Sequence, residues 1–93
     1  MIKLTEVVTA GSHYSTEKRG VESQYRLRNI YINPKFIISM TDNEKLNDMH
    51  RRQPIIDNLF SETQFTKLTI VSGMNGVVHY DITGPPEQHM KKL

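Results

Sequence analysis

Five short segments of the chain are apolar throughout or alternate apolar with polar residues, and they predict five β-strands. A period of two is typical of a strand with one buried face, and β-branched and aromatic residues favour strands. The segments cover residues 1–8, 25–32, 35–40, 65–72 and 77–82. The third, KFIISM, is apolar almost throughout, which predicts a central strand covered on both faces.

The last two strands are predicted to form a β-hairpin. Residues 73–76, GMNG, separate them, and an Asn-Gly pair tolerates the positive φ of a tight turn. In the returning strand, one alternating set is predicted to face the core: Val78, Tyr80 and Ile82.

Residues 41–64 lose the strand pattern and are interpreted as an insertion with short helices. Thr41 or Asp42 is the predicted N-cap of a helix over 42–52. Pro54 suits the first turn of a second helical segment over 54–60. The apolar face of that segment is predicted to contain Ile55, Ile56, Leu59 and Phe60.

Two further segments complete the pattern. Residues 9–24 are polar and contain two glycines, so they predict a long loop, or a hairpin with a mobile tip. Residues 85–93 begin with two prolines and contain Glu87, Lys91 and Lys92, which predicts a short C-terminal helix with charges that suit its dipole.

These elements together predict an α+β fold in a single domain over residues 1–93. We expect a small, strongly curved antiparallel sheet of about five strands, with the helical insertion and the C-terminal helix. A chain of 93 residues with 37% hydrophobic and 24% charged residues is typical of one globular domain.

Charge and cysteine content limit the classes of function. The formal net charge is only +2, which does not by itself indicate a nucleic-acid-binding protein. The chain has no cysteine, so disulfides, thiolate metal sites and cysteine nucleophiles are excluded. No apolar run approaches the length of a membrane span, and we expect a cytoplasmic protein without a membrane partner.

One basic group is a candidate anion or nucleotide site. It consists of Lys18, Arg19, Arg26 and Arg28, and arginine binds phosphate with two parallel hydrogen bonds. Tyr25 and Tyr31 offer rings for stacking, but alternation places them on the strand face opposite the arginines. The alternative, an ordinary charged sheet face, therefore stays open.

The insertion holds a second candidate site, for a protein partner. Its residues are Met49, His50, Arg51 and Arg52, and methionine and arginine are enriched at protein interfaces. The alternative is a helix end in which the cations face the negative end of the helix dipole.

Catalytic chemistry has weaker support. His79 and Asp81 lie two residues apart on one predicted strand face, where a base or a metal site is conceivable. No nucleophile or third ligand stands at a defined spacing from them, and an exposed polar face explains the pair as well. We therefore predict no enzyme, no metal and no cofactor.

Three segments resemble the flagellar FlbD-like family, which also includes short phage proteins. They are MIKLTEV at the start, IYINPKFIISM at 30–40 and TKLTIVSGMNGVVHYDITGPPEQHMKKL at 66–93, about half of the chain. The resemblance implies an opening strand, a step through Asn-Pro onto another strand, a hairpin and a short helix. It carries over no active-site residue, and the segments 9–24 and 41–64 depart from it.

The combined interpretation is a non-enzymatic, phage-type accessory protein. We expect it to bind and modulate, as an inhibitor for example, a host macromolecule in the host cytoplasm through protein–protein contacts. The alternative is a nucleotide or nucleic-acid binder, including a homo-oligomer that sequesters a nucleotide between subunits.

Overall fold

The framework of the molecule is one antiparallel sheet of five strands in the spatial order β2-β1-β5-β4-β3. The computed structural model describes residues 1–9, 25–56 and 59–93. Its strands are β1 (Ile2–Thr9), β2 (Tyr25–Ile32), β3 (Ile37–Asp42), β4 (Phe65–Val71) and β5 (Val77–Thr83). Its helices are α1 (Glu44–Arg52) and α2 (Pro86–Met90). The predicted α+β class is thus confirmed, while all of the predicted loop except Thr9 lies outside the described residues.

Apolar residues cluster on both faces of this sheet. On the face that α1 covers, here called the helix face, Val7 and Phe65 pack with Leu46 of α1 and with Ile56. On the opposite face, the buried cluster comprises Leu4, Ile32, Leu68 and Ile82. Because neighbouring residues of a strand point to opposite faces, both β1 and β4 contribute to the two clusters.

The register of β2 against β1 confirms the predicted alternation along β2. Glu6 pairs with Arg28 and Leu4 with Ile30, so the arginines lie on the same face as the buried Leu4. Val7 pairs with Leu27, so Tyr25, Leu27 and Tyr31 lie on the helix face.

The prediction of a central third strand was wrong. β3 begins at Ile37, after a 3-10 turn over Pro34–Phe36, and it is an edge strand of the sheet that the described residues form. Its pairing with β4 shifts between Ile37 and Ser39, and Ile38 is 53% exposed. An apolar run can thus contain a bulged edge strand in which only some of the apolar side chains are buried.

The N-cap of α1 lies one to two residues after the predicted positions. Thr41 and Asp42 belong to β3, and the N-cap is Asn43, whose Oδ1 accepts a hydrogen bond from the Leu46 amide at 3.2 Å. Leu46 is buried and Met49 is half-buried against the same cluster, because residues three apart lie on the same side of a helix.

The second helical segment, predicted over 54–60, is absent from the described residues of that range. Residues 54–56 and 59–60 are irregular. Pro54 removes a backbone donor, and the His50 side chain hydrogen-bonds the backbone of Ile55 and of Phe60. The His50 ring therefore attaches the backbone at residues 55 and 60 to α1.

The β4–β5 hairpin is present as predicted. Ser72 and Gly76 close it with a hydrogen bond from the Ser72 amide to the Gly76 carbonyl at 2.8 Å. Gly73 and Gly76 have φ values of 51° and 84°, which glycine adopts without a steric penalty. Ile82 is fully buried and Tyr80 packs against it, which confirms the predicted core face of β5.

Candidate partner-binding surface

The four predicted partner-binding residues occupy the last turn of α1 but divide between its two sides. Arg51 and Arg52 are exposed, whereas Met49 is half-buried and His50 is fully buried. Since a buried ring cannot contact a partner directly, the structure does not support His50 as a contact residue. Arg51 forms an ion pair with Asp48 at 2.9 Å.

His50 instead connects α1 to the segment that follows it. Its Nδ1 accepts a hydrogen bond from the Ile55 amide at 3.0 Å, and its Nε2 lies 2.8 Å from the Phe60 carbonyl oxygen. An amide can only donate, so Nδ1 carries no proton and Nε2–H donates to Phe60. The ring also meets Phe65 edge to face, with centroids 5.4 Å apart.

These bonds fix the backbone at Phe60 while its side chain remains in solvent. The Phe60 carbonyl accepts a second hydrogen bond, from the Thr63 amide at 3.0 Å, yet the residue is 82% exposed. The segment after it is also attached to α1, because Asn47 Oδ1 accepts a hydrogen bond from the Phe65 amide at 2.7 Å. A large apolar side chain is thus held outward by a well-bonded backbone.

An open cleft of about 370 Å³ lies between α1 and this segment. It is lined by Asn47, Arg51, Ser61, Glu62, Thr63 and Gln64. All six lining side chains are charged or polar, with one cation, one anion and four neutral hydrogen-bonding groups.

A second open cleft, of about 410 Å³, lies at the N-terminal end of α1 and beside α2. It is lined by Met40, Thr41, Asp42, Glu44, Pro86 and Glu87. Carboxylates near the start of α1 and arginines at its end are the distribution that a helix dipole favours. The charges alone therefore do not identify either cleft as a binding site.

The structure describes two members of the predicted anion site, Arg26 and Arg28, which lie on one face of β2. Arg28 Nε donates to Glu6 Oε1 at 2.8 Å, and Glu6 is 8% exposed, so a nearly buried carboxylate neutralises this arginine. Arg26 is exposed on the same face of β2, while Lys18 and Arg19 lie outside the described residues. Tyr25 and Tyr31 occupy the helix face, away from both arginines.

His79 and Asp81 bind different neighbours. His79 Nδ1 lies 2.9 Å from the Thr69 hydroxyl, and Asp81 Oδ1 accepts a hydrogen bond from Asn43 Nδ2 at 2.7 Å. Within residues 1–9, 25–56 and 59–93, no group of three or more His, Asp and Glu side chains could hold a metal ion. The contacts of the pair are those of a polar sheet face.

His89 is a further buried histidine, on α2. Its Nε2 lies 2.7 Å from the Thr83 carbonyl oxygen, and its Nδ1 is buried without a hydrogen-bond partner among the described residues. Gly84, with φ of 97°, lies directly against this ring, since an added Cβ would come 3.1 Å from Nε2. The contacts identify His89 as a packing residue of the C-terminal segment.

No protein family, curated protein or solved structure matches this chain. The resemblance to the FlbD-like family therefore stays a prediction from the sequence. In the described part of the chain, neither helix combines the length and the apolar composition that crossing a membrane requires.

Sequence reasoning missed Phe60, Asn47 and Glu62 as surface residues of interest. It placed Phe60 on the inward face of a predicted helix, and that helix does not form. Pro54 was the available signal, because it has no backbone N–H and disfavours helical geometry in the residue before it, so α1 ends at Arg52.

Proposed function

We propose that the protein is a non-enzymatic accessory protein that binds another protein through a surface around Phe60. This surface, here called the insertion surface, comprises Arg51, Arg52, Phe60, Ser61 and Glu62. A phage-type origin and a host partner follow from the resemblance stated above and belong to the same proposal.

The observation that carries the proposal is the outward side chain of Phe60 on a fixed backbone. Exposed aromatic side chains on ordered backbone lose little conformational freedom on binding, and burial of a phenylalanine stabilises a complex by about 2 kcal/mol. Arg51 borders the cleft next to the same segment, and aromatic residues and arginine are typical of interface hot spots. Met49 and His50 support the surface from within rather than contact the partner.

The test is to compare binding by two variants that each lose one exposed apolar side chain. A partner captured from the native host would be purified, and its affinity measured for Phe60→Ala and for Met74→Ala. Met74 is fully exposed at the tip of the β4–β5 hairpin, so it is a matched control. We expect Phe60→Ala to weaken binding at least tenfold, as at a hot spot, and Met74→Ala to leave it unchanged. Equal affinities for both variants and the wild type would contradict the proposal.

The arginines provide a second arm of this test. Replacing both Arg51 and Arg52 with alanine removes two surface charges, so association should slow and lose part of its salt dependence. Replacing Lys91 and Lys92, which are exposed directly after α2, removes the same charge at a control site. Identical effects at both sites would indicate non-specific electrostatics.

The alternative proposal is an anion or nucleotide site that uses Lys18, Arg19, Arg26 and Arg28. It is supported by the exposed Arg26 beside Arg28, and the carboxylate of Glu6 opposes it. Under this alternative, Glu6→Gln should release Arg28 and strengthen binding of an oligonucleotide or a cyclic nucleotide, and binding should weaken steeply as salt rises. No binding by either protein would exclude this function.

We also propose that the sheet is strongly curved, because the connection between β2 and β3 is too short for a flat sheet. Ile32, at the end of β2, pairs with Ile2 at the start of β1. Ile37, at the start of β3, pairs with Ile70 of β4. Ile70 in turn pairs with Val78, near the start of β5. β2 and β3 are four inter-strand spacings apart in the strand order. In a flat sheet, the Cα atoms of Ile32 and Ile37 would therefore be separated by about 19 Å across the strands, and by an additional distance along the strands.

Only residues 33–36 join these two positions, and they include a 3-10 turn, so their reach is about 17 Å at most. Curvature and twist would bring the two strand ends within that reach. Nuclear Overhauser contacts between side chains of Ile30 and Met40 would support it, and their absence in a fully assigned spectrum would count against it.

A further inference from the structure

The two edges of the sheet differ in how well they could accept another strand. β2 pairs with β1 over eight consecutive residues without a register shift, and it is an edge strand of the five that the structure describes. β3, at the other edge, contains a shift between Ile37 and Ser39. A long, regular edge exposes a row of backbone donors and acceptors, whereas a bulge protects an edge from pairing.

β2 carries one apolar side chain two residues to either side of Asn29. Leu27 and Tyr31 lie two residues to either side, on the helix face, and they are 36% and 62% exposed. Asn29 is exposed between them, and its amide contains both a donor and an acceptor, so it can pair with a second asparagine. This chemistry is complementary to a second copy of the same strand.

Charge eliminates most of the ways in which two copies of β2 could pair antiparallel about a two-fold axis. An axis at Leu27 places Arg26 opposite Arg28 of the second copy, and an axis at Arg28 places that arginine opposite itself. Like charges directly opposite each other destabilise a pair of strands.

An axis at Asn29 avoids both arrangements. It sets Leu27 of each copy opposite Tyr31 of the other, which gives two identical pairs. It also sets Arg28 of each copy opposite Ile30 of the other. The two Arg28 side chains then lie diagonally, about 7–8 Å apart, and the Glu6 carboxylate at 2.8 Å neutralises each of them. An axis at Ile30 shortens the paired length and sets Asn29 against Tyr31, so it matches less well.

We propose that two copies of this chain pair antiparallel through β2 about Asn29, which joins two five-stranded sheets into one continuous sheet. The two-fold axis runs through the plane of the sheet from one face to the other, so the helix faces of both copies lie on the same side. Both insertion surfaces would thus point the same way, although the dimer does not depend on their function.

The register can be tested by exchanging charges at the two exposed apolar positions. Leu27→Lys with Tyr31→Lys puts lysine opposite lysine in both symmetric pairs, while Leu27→Lys with Tyr31→Glu puts lysine opposite glutamate. We expect sedimentation equilibrium to show a dimer for the wild type and the Lys/Glu variant. The Lys/Lys variant should dimerise about a hundredfold more weakly. Circular dichroism would verify that both variants keep the sheet.

A second measurement uses the absence of cysteine from the chain. Asn29→Cys would place two thiols next to each other across the axis, so mild oxidation should link the copies rapidly. Thr41→Cys, on the bulged edge strand β3, is the matched control and should link slowly.

Three results would overturn the proposal. They are a monomeric wild type at all concentrations, equal association of the Lys/Lys and Lys/Glu variants, or equal cross-linking at positions 29 and 41. A dimer that survives both double variants would place the contact elsewhere. Because the Phe60 test can be run on the monomeric Lys/Lys variant, failure of one proposal is distinguishable from failure of the other.

Discussion

At the scale of single residues, the most consequential side chain is His50, whose contacts the sequence did not indicate. The neighbouring Arg51 and Arg52 made it look like part of a basic surface motif. Helical spacing nevertheless puts His50 four residues after Leu46, on the buried side of α1, and there it binds the backbone of Ile55 and Phe60. The burial of His50 was predictable from helical spacing. Its hydrogen-bond partners were not, because Ile55 and Phe60 belong to an irregular segment whose path no local pattern predicts.

We expect His50→Ala to lower the free energy of unfolding by about 3 kcal/mol, because it opens a cavity beside Phe65 and leaves the Ile55 amide unpaired. Urea denaturation measures this loss. Arg51→Ala, one residue further on the exposed side, should change stability by at most about 0.5 kcal/mol. Equal losses from the two substitutions would refute the supporting role of His50.

At the scale of secondary-structure elements, the apolar pattern of the chain predicted where all five strands lie, that the tyrosines and arginines of β2 occupy opposite faces, and which face of β5 packs against the core. It failed where tertiary contacts decide the outcome. The run at 35–40 did not distinguish a central strand from a bulged edge strand, and the N-cap of α1 moved from Thr41 or Asp42 to Asn43. Asn43 has a second function that no local pattern contains, since it also donates to Asp81 of β5.

Because Asn43 has both roles, Asn43→Asp should destabilise α1, although the two residues are equally good helix caps. Aspartate caps helices as well as asparagine does, but Asn43→Asp would set a carboxylate where the amide now lies 2.7 Å from Asp81 Oδ1. We expect it to cost about 2 kcal/mol of stability.

Adding Asp81→Asn to that variant restores a donor and an acceptor in exchanged positions, so most of the loss should be recovered. A double-mutant cycle in urea measures this coupling. A double variant no more stable than Asn43→Asp would show that the contact does not stabilise α1.

At the scale of the whole molecule, the segment between β3 and β4 is part of the folded core rather than an appendage. Leu46 and Ile56 cover Phe65 and Val7 on the helix face, so removal of the segment would expose a buried phenylalanine. β4 connects the two clusters, because Phe65 and Leu68 are both fully buried but point to opposite faces. This connection predicts that the chain folds as the single domain expected from its length.

Truncating one residue in each cluster tests that expectation. Leu4→Ala and Leu46→Ala should each lower stability by about 2–4 kcal/mol, and each variant should still unfold in one transition. Tyr80 packs against the first cluster and Tyr25 against the second, so near-ultraviolet circular dichroism reports on both, and far-ultraviolet circular dichroism reports on the sheet. Coincident curves are expected because neither cluster can be lost while β4 stays in place. A different outcome for Leu46→Ala would be loss of the near-ultraviolet tyrosine signal before the far-ultraviolet signal of the sheet. The cluster on the helix face would then be a separate cooperative unit. The surface around Phe60 would in that case unfold independently of the sheet.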